Sequence, residues 1–182
     1  LGYTTKDNII EIKGRVACEI NAGDEIVITE LIFSGYFNTL TPAQIAAMLS
    51  CFVFQEKADD KAKLPEELNA PYLVLQETAR RVAEVEVECK KEVDVDEYVA
   101  LFKPGLAEVV YAWANGATFL AVCALTKVYE GSIIRAMRRL EELLRQLVAA
   151  SKSIGNTELE NKFADTIAAI KRDIVFAASL YL

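Results

Sequence analysis

Apolar residues recur at helical spacing along most of the chain, most clearly between Tyr129 and Ile154. On a wheel of 3.6 residues per turn, one broad arc of this stretch is apolar and the opposite side is polar. The apolar arc holds Ile133, Ile134, Met137, Leu140, Leu143, Leu144, Leu147 and Val148, and the polar side holds Arg135, Arg139, Glu142 and Gln146. The pattern predicts a long amphipathic helix of roughly 35 Å, at 1.5 Å per residue.

Similar periodicity predicts shorter helices before and after this stretch. We place them at residues 5–20, 24–33, 42–55, 64–91, 96–102, 104–114, 118–125 and 158–178. The connections are short, apart from a charged loop at residues 56–63. The sequence therefore predicts an all-α fold, a helical bundle of about eight helices with one long central helix, in a single domain spanning residues 1–182.

Capping residues mark where several of these helices begin and end. The predicted N-terminal signals are Asp24, Thr41 followed by Pro42, Thr118, and a capping box in Asn156-Thr157-x-x-Glu160. The predicted C-terminal signals are Gly35, Gly116 and Gly155, and the first helix is expected to be interrupted or to end near Gly14 or at residues 21–23.

Two of the predicted helices also have features of β-strands. Residues 26–33, IVITELIF, are rich in β-branched side chains, and residues 82–95, VAEVEVECKKEVDV, partly alternate between apolar and charged. We predict helix for the first because acidic Asp24 and Glu25 precede it. We predict helix for the second because the apolar positions leading into it keep helical spacing.

Composition and charge restrict the classes of function. The chain is 53% hydrophobic with a mean hydropathy of +0.20, which indicates that some apolar surface meets another domain or subunit. No apolar run approaches the roughly 18 residues of a membrane span. Residues up to Thr126 include 11 basic and 20 acidic residues, a net charge of −9, whereas the remainder has 9 and 7, a net charge of +2. This distribution argues against indiscriminate nucleic-acid binding, although the later part is compatible with a phosphate backbone.

The sequence offers little for catalysis or metal binding. It has no histidine, which removes every Ser/His/Asp or Cys/His arrangement, and no phosphate-binding glycine motif such as G-x-x-x-x-G-K-[ST]. Its cysteines, Cys18, Cys51, Cys89 and Cys123, are too widely spaced for a structural zinc site. We predict four buried thiols, no metal site and no catalytic residues.

Residues 117–140, ATFLAVCALTKVYEGSIIRAMRRL, pair a short helix with the start of the long one across a turn. This spacing is close to a helix-turn-helix, in which the second helix presents polar residues to a nucleic acid. An ordinary αα-corner with solvated arginines fits the spacing equally well. Arg135 and Arg139 lie one turn apart with Arg138 and Arg145 flanking them, and arginine is suited to phosphate contacts.

Longer motifs then point to a family. They are IIEIKGRVACEI (residues 9–20), GDEIVITELIFSGYFNTLTPAQIAAMLSCFVFQE (23–56), GATF (116–119), VYEGSIIRAMRRLEELL (128–144) and IGNTELENKFADTIAAIKRDIVFAASLYL (154–182). Together they resemble the DSHCT domain, the carboxy-terminal helical domain of ski-like DExH RNA helicases that deliver RNA to the exosome. The resemblance covers nearly the whole chain, from Ile9 to Leu182.

The resemblance implies that the chain is part of a larger helicase, as its start at Leu1 rather than methionine also suggests. In such helicases two RecA-like domains, absent here, bind ATP and Mg, so no cofactor is expected in this chain itself. The long helix matches the family's ratchet helix. The family's RNA-facing positions fall on Arg139, on Arg135 one turn earlier, and on Glu56, which ends the FQE motif.

The implied function is to guide single-stranded RNA in an ATP-dependent 3'-5' RNA helicase. The implied partners are the helicase's own RecA-like domains, the exosome and TRAMP-type cofactors, with no membrane. The implied location is nuclear, with a cytoplasmic Ski-complex helicase as the alternative. A different reading of the same resemblance is a scaffold domain that docks proteins and has no direct role in RNA binding.

The sequence ends in the apolar segment DIVFAASLYL, residues 173–182. Free termini are usually polar, so we predict that part of this segment packs beneath the central helix.

Overall fold

The structure is a computed structural model that describes residues 1–56 and 64–172. In these residues the α-helices are α1 (Ile12–Cys18), α2 (Glu25–Phe33), α3 (Pro42–Val53), α4 (Glu66–Glu88), α5 (Val95–Ala100), α6 (Ala107–Ala114), α7 (Phe119–Ala124), α8 (Glu130–Ser153) and α9 (Thr157–Ile170). A short 3₁₀ helix, Tyr36–Thr39, lies between α2 and α3. The all-α prediction is confirmed, and both segments with strand-like features are helical. No helix in the described part of the chain combines the length and apolarity needed to cross a bilayer.

Two helices form the centre of the core. Helix α8 buries its apolar arc mainly against α9, with further contacts to α3 and α1. Helix α3 is enclosed more fully, since it packs against α4, α6, α8 and α9. Its residues Ile45, Met48, Leu49, Phe52 and Val53 are all buried, as predicted. The amphipathic α8 therefore lies at the border of the core, with α3 beside it inside the core.

Most predicted caps are present. The Thr41 side chain accepts a hydrogen bond from Gln44 N, and the Gln44 side chain returns one to Thr41 N, so α3 begins with a full capping box. Asp24 and Thr118 cap α2 and α7. Asn156 Oδ1 accepts from Leu159 N, so α9 begins one residue earlier than predicted. The Asn156 cap replaces the expected box with Glu160.

The first helix is shorter than the prediction for residues 5–20. Before Ile12 the chain forms a turn closed by an isolated bridge between Thr4 and Ile10, with Asn8 at a φ of 60°. The Thr5 hydroxyl accepts a hydrogen bond from Ile9 N, a local bond that competes with helix formation. Periodicity alone could not exclude this turn.

Of the two predicted places for the end of the first helix, Gly14 is wrong, since it lies inside α1; the helix ends at Cys18, shortly before the alternative at residues 21–23. A Cβ at this position would lie 2.6 Å from the Tyr3 carbonyl oxygen, so the glycine permits close packing of the preceding turn.

Two further expectations are wrong. Of the four thiols predicted to be buried, Cys51 is buried and Cys123 is half-buried. Cys18 and Cys89 are exposed, because each lies at the end of a helix that ends at the surface. Helix α9 ends at Ile170, and residues 171–172 do not continue it; the rest of the helix predicted to residue 178 lies outside the described residues. Trp113 Nε1 donates a hydrogen bond of 2.8 Å to the Ile170 carbonyl. This bond connects α6 to the last residue of α9. The predicted packing of the tail at 173–182 lies outside the described residues, as does most of the charged loop.

Glu30 on α2 is a buried charge that periodicity did not reveal. Its carboxylate, with 8% of the side chain exposed, accepts from Lys13 Nζ at 2.9 Å, from Arg81 Nη2 at 3.3 Å and from the Tyr3 hydroxyl at 3.2 Å. These partners come from the first turn, α1 and α4. Glu30 therefore connects three segments that are distant in sequence.

We expect Glu30→Ala to lower the free energy of unfolding by about 2–3 kcal/mol, because it leaves charged partners without their acceptor. Urea unfolding followed by circular dichroism measures this value. Glu84→Ala, at an exposed position of α4, is the matched control and should change the value by less than about 0.5 kcal/mol. Equal effects in the two variants would contradict this role of Glu30.

Candidate nucleic-acid interface

The polar side of α8 contains the residues that the wheel assigned to it, Arg135, Arg139, Glu142 and Gln146. Arg135, Arg139 and Glu142 are exposed and Gln146 is half-buried. The apolar arc is buried except for the half-buried Val148. Because the leucines of α8 fix its rotation about its own axis, they also fix the direction in which Arg135 and Arg139 point.

Glu56 meets α8 although it is 79 residues from Arg135 in sequence. Helix α3 ends at Val53 and Phe54 remains buried, so the chain emerges beside the first half of α8. Arg135 Nη2 lies 3.4 Å from Glu56 Oε1 and donates to Ser132 Oγ at 2.9 Å. Both charged side chains are more than half exposed, at 55% and 54%. The structure thus brings together Glu56 and Arg135, two of the residues singled out in the sequence.

The surroundings of Glu56 favour its ionised form. The pKa of the Glu56 carboxyl is lowered below its usual value. The largest cause is hydrogen bonding to Ser132, and smaller contributions come from the hydrogen bond and charge of Arg135 and from the charge of Arg139. Ser132 accepts from the Arg135 guanidinium and also favours the ionised form of the Glu56 carboxylate. Sequence reasoning did not single out Ser132, because a serine in the first turn of a helix is common.

Arg139 is placed differently from Arg135. No described carboxylate lies within the 4.0 Å ion-pair distance of its guanidinium. It lines a shallow cleft of about 350 Å³ together with Glu142, Gln55 and the buried residues Phe52 and Val53. An adjoining cleft of about 330 Å³ shares Gln55 and Phe52 and extends to the loop between α1 and α2. The two clefts share lining residues, so together they form an open groove of mixed polar and apolar character beside Arg139.

Gln146 is occupied within the protein. Its Oε1 accepts from Asn21 N at 2.9 Å and Ala22 N at 3.0 Å, and its Nε2 donates to Asn21 Oδ1 at 2.6 Å. The last part of the polar side of α8 thus holds the loop between α1 and α2 in place. Only the first part, with Arg135 and Arg139, is open to a partner.

The flanking arginines do not belong to this open part. Arg145 pairs with Glu141 at 2.7 Å and with Glu142 at 3.7 Å, and Arg138 is half-buried. The short helix α7 packs mainly against α6, where the Phe119 and Trp113 rings are 6.2 Å apart. Since the two helices of a helix-turn-helix pack on each other, this arrangement argues against a helix-turn-helix formed by α7 and α8.

Comparison with known families identifies the class of protein. Residues 7–177 match the model of the family described as the DSHCT (NUC185) domain. The chain belongs to the DSHCT domain family, as its motifs indicated.

The relatives are RNA helicases. The chain is 61% identical over 183 residues to "ATP-dependent RNA helicase mtr4" of Schizosaccharomyces pombe, covering 100% of this chain and 16% of that protein. It is 59% identical over 182 residues to human "Exosome RNA helicase MTR4". It is 53% identical over 182 residues to "DExH-box ATP-dependent RNA helicase DExH9" of Arabidopsis thaliana. Each of these two matches covers 100% of this chain and 18% of the relative. The chain therefore spans less than a fifth of the length of these curated relatives.

Ser132→Ala should raise the pKa of the Glu56 carboxyl towards its usual value, because the variant removes the largest effect that lowers it. Carboxyl carbon shifts in an NMR pH titration report this change. Arg135→Ala should act in the same direction. Since Glu56 and Arg135 are exposed, Glu56→Gln and Arg135→Ala should leave the midpoint of thermal unfolding unchanged. A Glu56 pKa that is unaltered in both Ser132→Ala and Arg135→Ala would contradict the contacts described here.

Proposed function

We propose that this chain is the helical RNA-guiding domain of an ATP-dependent 3'-5' DExH RNA helicase that delivers RNA to the exosome. The observation that carries the proposal is the open part of α8, where Arg135, Arg139 and Glu56 lie together beside a groove. Membership of the DSHCT family and the names of the helicase relatives support it.

The two arginines suit different tasks on a single strand. Arg139 has no described ion-pair partner, so its guanidinium is available for a phosphate oxygen. Arg135 is oriented by Ser132 and Glu56 before any ligand arrives. Contacts of this kind address the backbone and carry no sequence information, which suits a motor that moves along any RNA.

The carboxylate of Glu56 in the proposed RNA site cannot be explained by a phosphate contact. An ionised carboxylate repels phosphate but accepts hydrogen bonds, and RNA offers a donor in its 2'-hydroxyl. We infer that Glu56 keeps phosphates on the arginine side of the groove and accepts from the ribose.

In this proposal, the other domains of the helicase supply the ATP-binding site and most of the affinity for RNA. With a net charge of −7 the chain has no general attraction for RNA, so strong binding depends on additional domains. We propose that RecA-like domains in the same protein bind ATP and Mg. We also propose a nuclear location, with TRAMP-type cofactors and the exosome as partners, because two of the relatives are named exosome RNA helicases.

Exposed apolar side chains favour a docking role as a second candidate function. Leu120 on α7 is 83% exposed, and Leu101 and Leu73 are also exposed. Such residues are suited to contact with a neighbouring domain. A pure scaffold role predicts that charge changes on α8 leave RNA binding intact, so the experiment below distinguishes the two candidates.

In the full-length protein containing this chain, Arg139→Glu should weaken binding of single-stranded RNA by about 1.5–3 kcal/mol, the value of a charge-assisted hydrogen bond. The salt dependence of binding should decrease by about one phosphate, and unwinding should slow. Arg135→Glu should act in the same direction. Fluorescence anisotropy over a series of salt concentrations measures affinity and slope together.

Arg80→Glu provides the control, since Arg80 is an exposed residue of α4 that pairs with Asp96 away from α8. It makes the same change in net charge and should leave the affinity and salt slope nearly unchanged. If the double variant at Arg135 and Arg139 binds and unwinds like the original protein, these residues are not part of an RNA site.

The 182-residue chain by itself should hydrolyse no ATP, with or without RNA, because its sequence contains no phosphate-binding glycine loop. A coupled assay of released phosphate on the purified chain measures this. Turnover that copurifies with the chain would contradict its assignment to the part of a helicase without the motor.

A further inference from the structure

Tyr129 is the most exposed aromatic residue among the large exposed apolar side chains of the described chain. It precedes α8 as its N-cap residue, and 75% of the residue is exposed. Its side chain makes no capping hydrogen bond, and no described group bonds to its hydroxyl. Other tyrosines differ: Tyr98 donates to Asp24 at 2.5 Å and Tyr72 to the Phe102 carbonyl at 3.2 Å. The Tyr129 side chain therefore contributes little to the fold through polar contacts.

The position of the Tyr129 ring depends on Gly131. A Cβ placed on Gly131 would lie 2.9 Å from Tyr129 Cε1 and 3.2 Å from its Cδ1, both below ordinary contact distance. The ring therefore rests over the bare backbone of the first turn of α8. The same hypothetical Cβ would lie 3.7 Å from Arg135 Nη1. The tyrosine ring and the Arg135 guanidinium thus both lie within 4 Å of the same point above Gly131.

This arrangement extends the open part of α8 by an aromatic group. At 1.5 Å per residue, Tyr129 lies about 9 Å before Arg135 along the helix axis, and Arg139 lies about 6 Å beyond Arg135. An exposed ring next to cations that face the same side is the combination with which proteins bind single strands. Bases stack on the ring while the backbone follows the charges.

We propose that Tyr129 stacks on a nucleobase of the single-stranded RNA and marks one end of its path over α8. The inference rests on the proposed function, since it places a base contact next to the phosphate contacts of Arg135 and Arg139. Gly131 is a positioning residue in this proposal, because it lets the ring lie on the helix. Stacking tolerates every base, so the contact adds affinity without sequence preference.

Three variants of the full-length protein test the proposal. Tyr129→Ala removes the ring and should weaken binding of single-stranded RNA roughly five- to 150-fold, the range measured for loss of one stacked base. Tyr129→Phe keeps the ring and should bind within about twofold of the original, since the hydroxyl has no described partner. Gly131→Ala keeps the ring but displaces it, and should weaken binding without lowering the midpoint of thermal unfolding.

Two readouts separate stacking from other causes. The salt slope should stay the same in Tyr129→Ala, because no phosphate contact is lost, whereas Arg139→Glu should reduce it. RNAs with a single abasic nucleotide at successive positions should show one position where the missing base weakens binding to the original protein. At that position Tyr129→Ala should show no further loss.

The outcomes distinguish the inference from the proposed function. If the arginine variants weaken binding but Tyr129→Ala does not, the stacking proposal is overturned and the RNA-guiding function stands. If neither set has an effect, both fail. A Tyr129→Ala variant that binds RNA normally but unfolds at a lower temperature would indicate that the ring packs against a neighbouring domain, which also overturns the proposal.

Discussion

Burial of the leucine-rich side of α8 is the constraint on which the arrangement of this protein depends. Leu140, Leu143, Leu144 and Leu147 are fully buried, and each large apolar side chain contributes roughly 1.5–3 kcal/mol when removed from water. Rotating α8 by even one residue, about 100°, would expose part of this set and bury arginine. The free energy of burial therefore also determines where the charged side chains point.

Other contacts refine this orientation. Gln146 fixes the loop between α1 and α2 to the later turns of α8, and Glu141, itself buried, pairs with Arg145 and with Lys171 at 3.6 Å beyond α9. In the first turns of α8, by contrast, the described ion pair between Arg135 and Glu56 lies at the surface, with both side chains more than half exposed. One helix thus has a part that is held by the protein and a part that is open, and the division falls between Arg139 and Gln146.

The sequence predicted the features that repeat along a helix. Periodicity located α3, α4 and α8, and capping residues located the starts of α2, α3 and α7, because these signals are local. It failed at the first predicted helix, where the local Thr5 turn replaces the first half. It also could not reveal contacts between distant residues, such as the hydrogen bond from Trp113 to the Ile170 carbonyl at the end of α9. The same limit applies to the candidate interface. Arg135 and Arg139 could be located on a wheel, whereas Ser132, Gln55 and the buried Glu30 become visible only when segments from across the chain meet.

The exposure of the Glu56–Arg135 pair has a kinetic consequence. Because both side chains remain largely in water, little desolvation separates the paired state from one in which Arg135 turns to an incoming phosphate. If RNA follows the proposed path, the guanidinium would exchange one anionic partner for another over a low barrier, and Glu56 would pair with it again once the phosphate has left. On the proposed RNA path, a strand would meet a contact that forms and breaks rapidly. Such a contact would slow a translocating RNA strand very little. A buried, strongly held ion pair at the same position would slow it more.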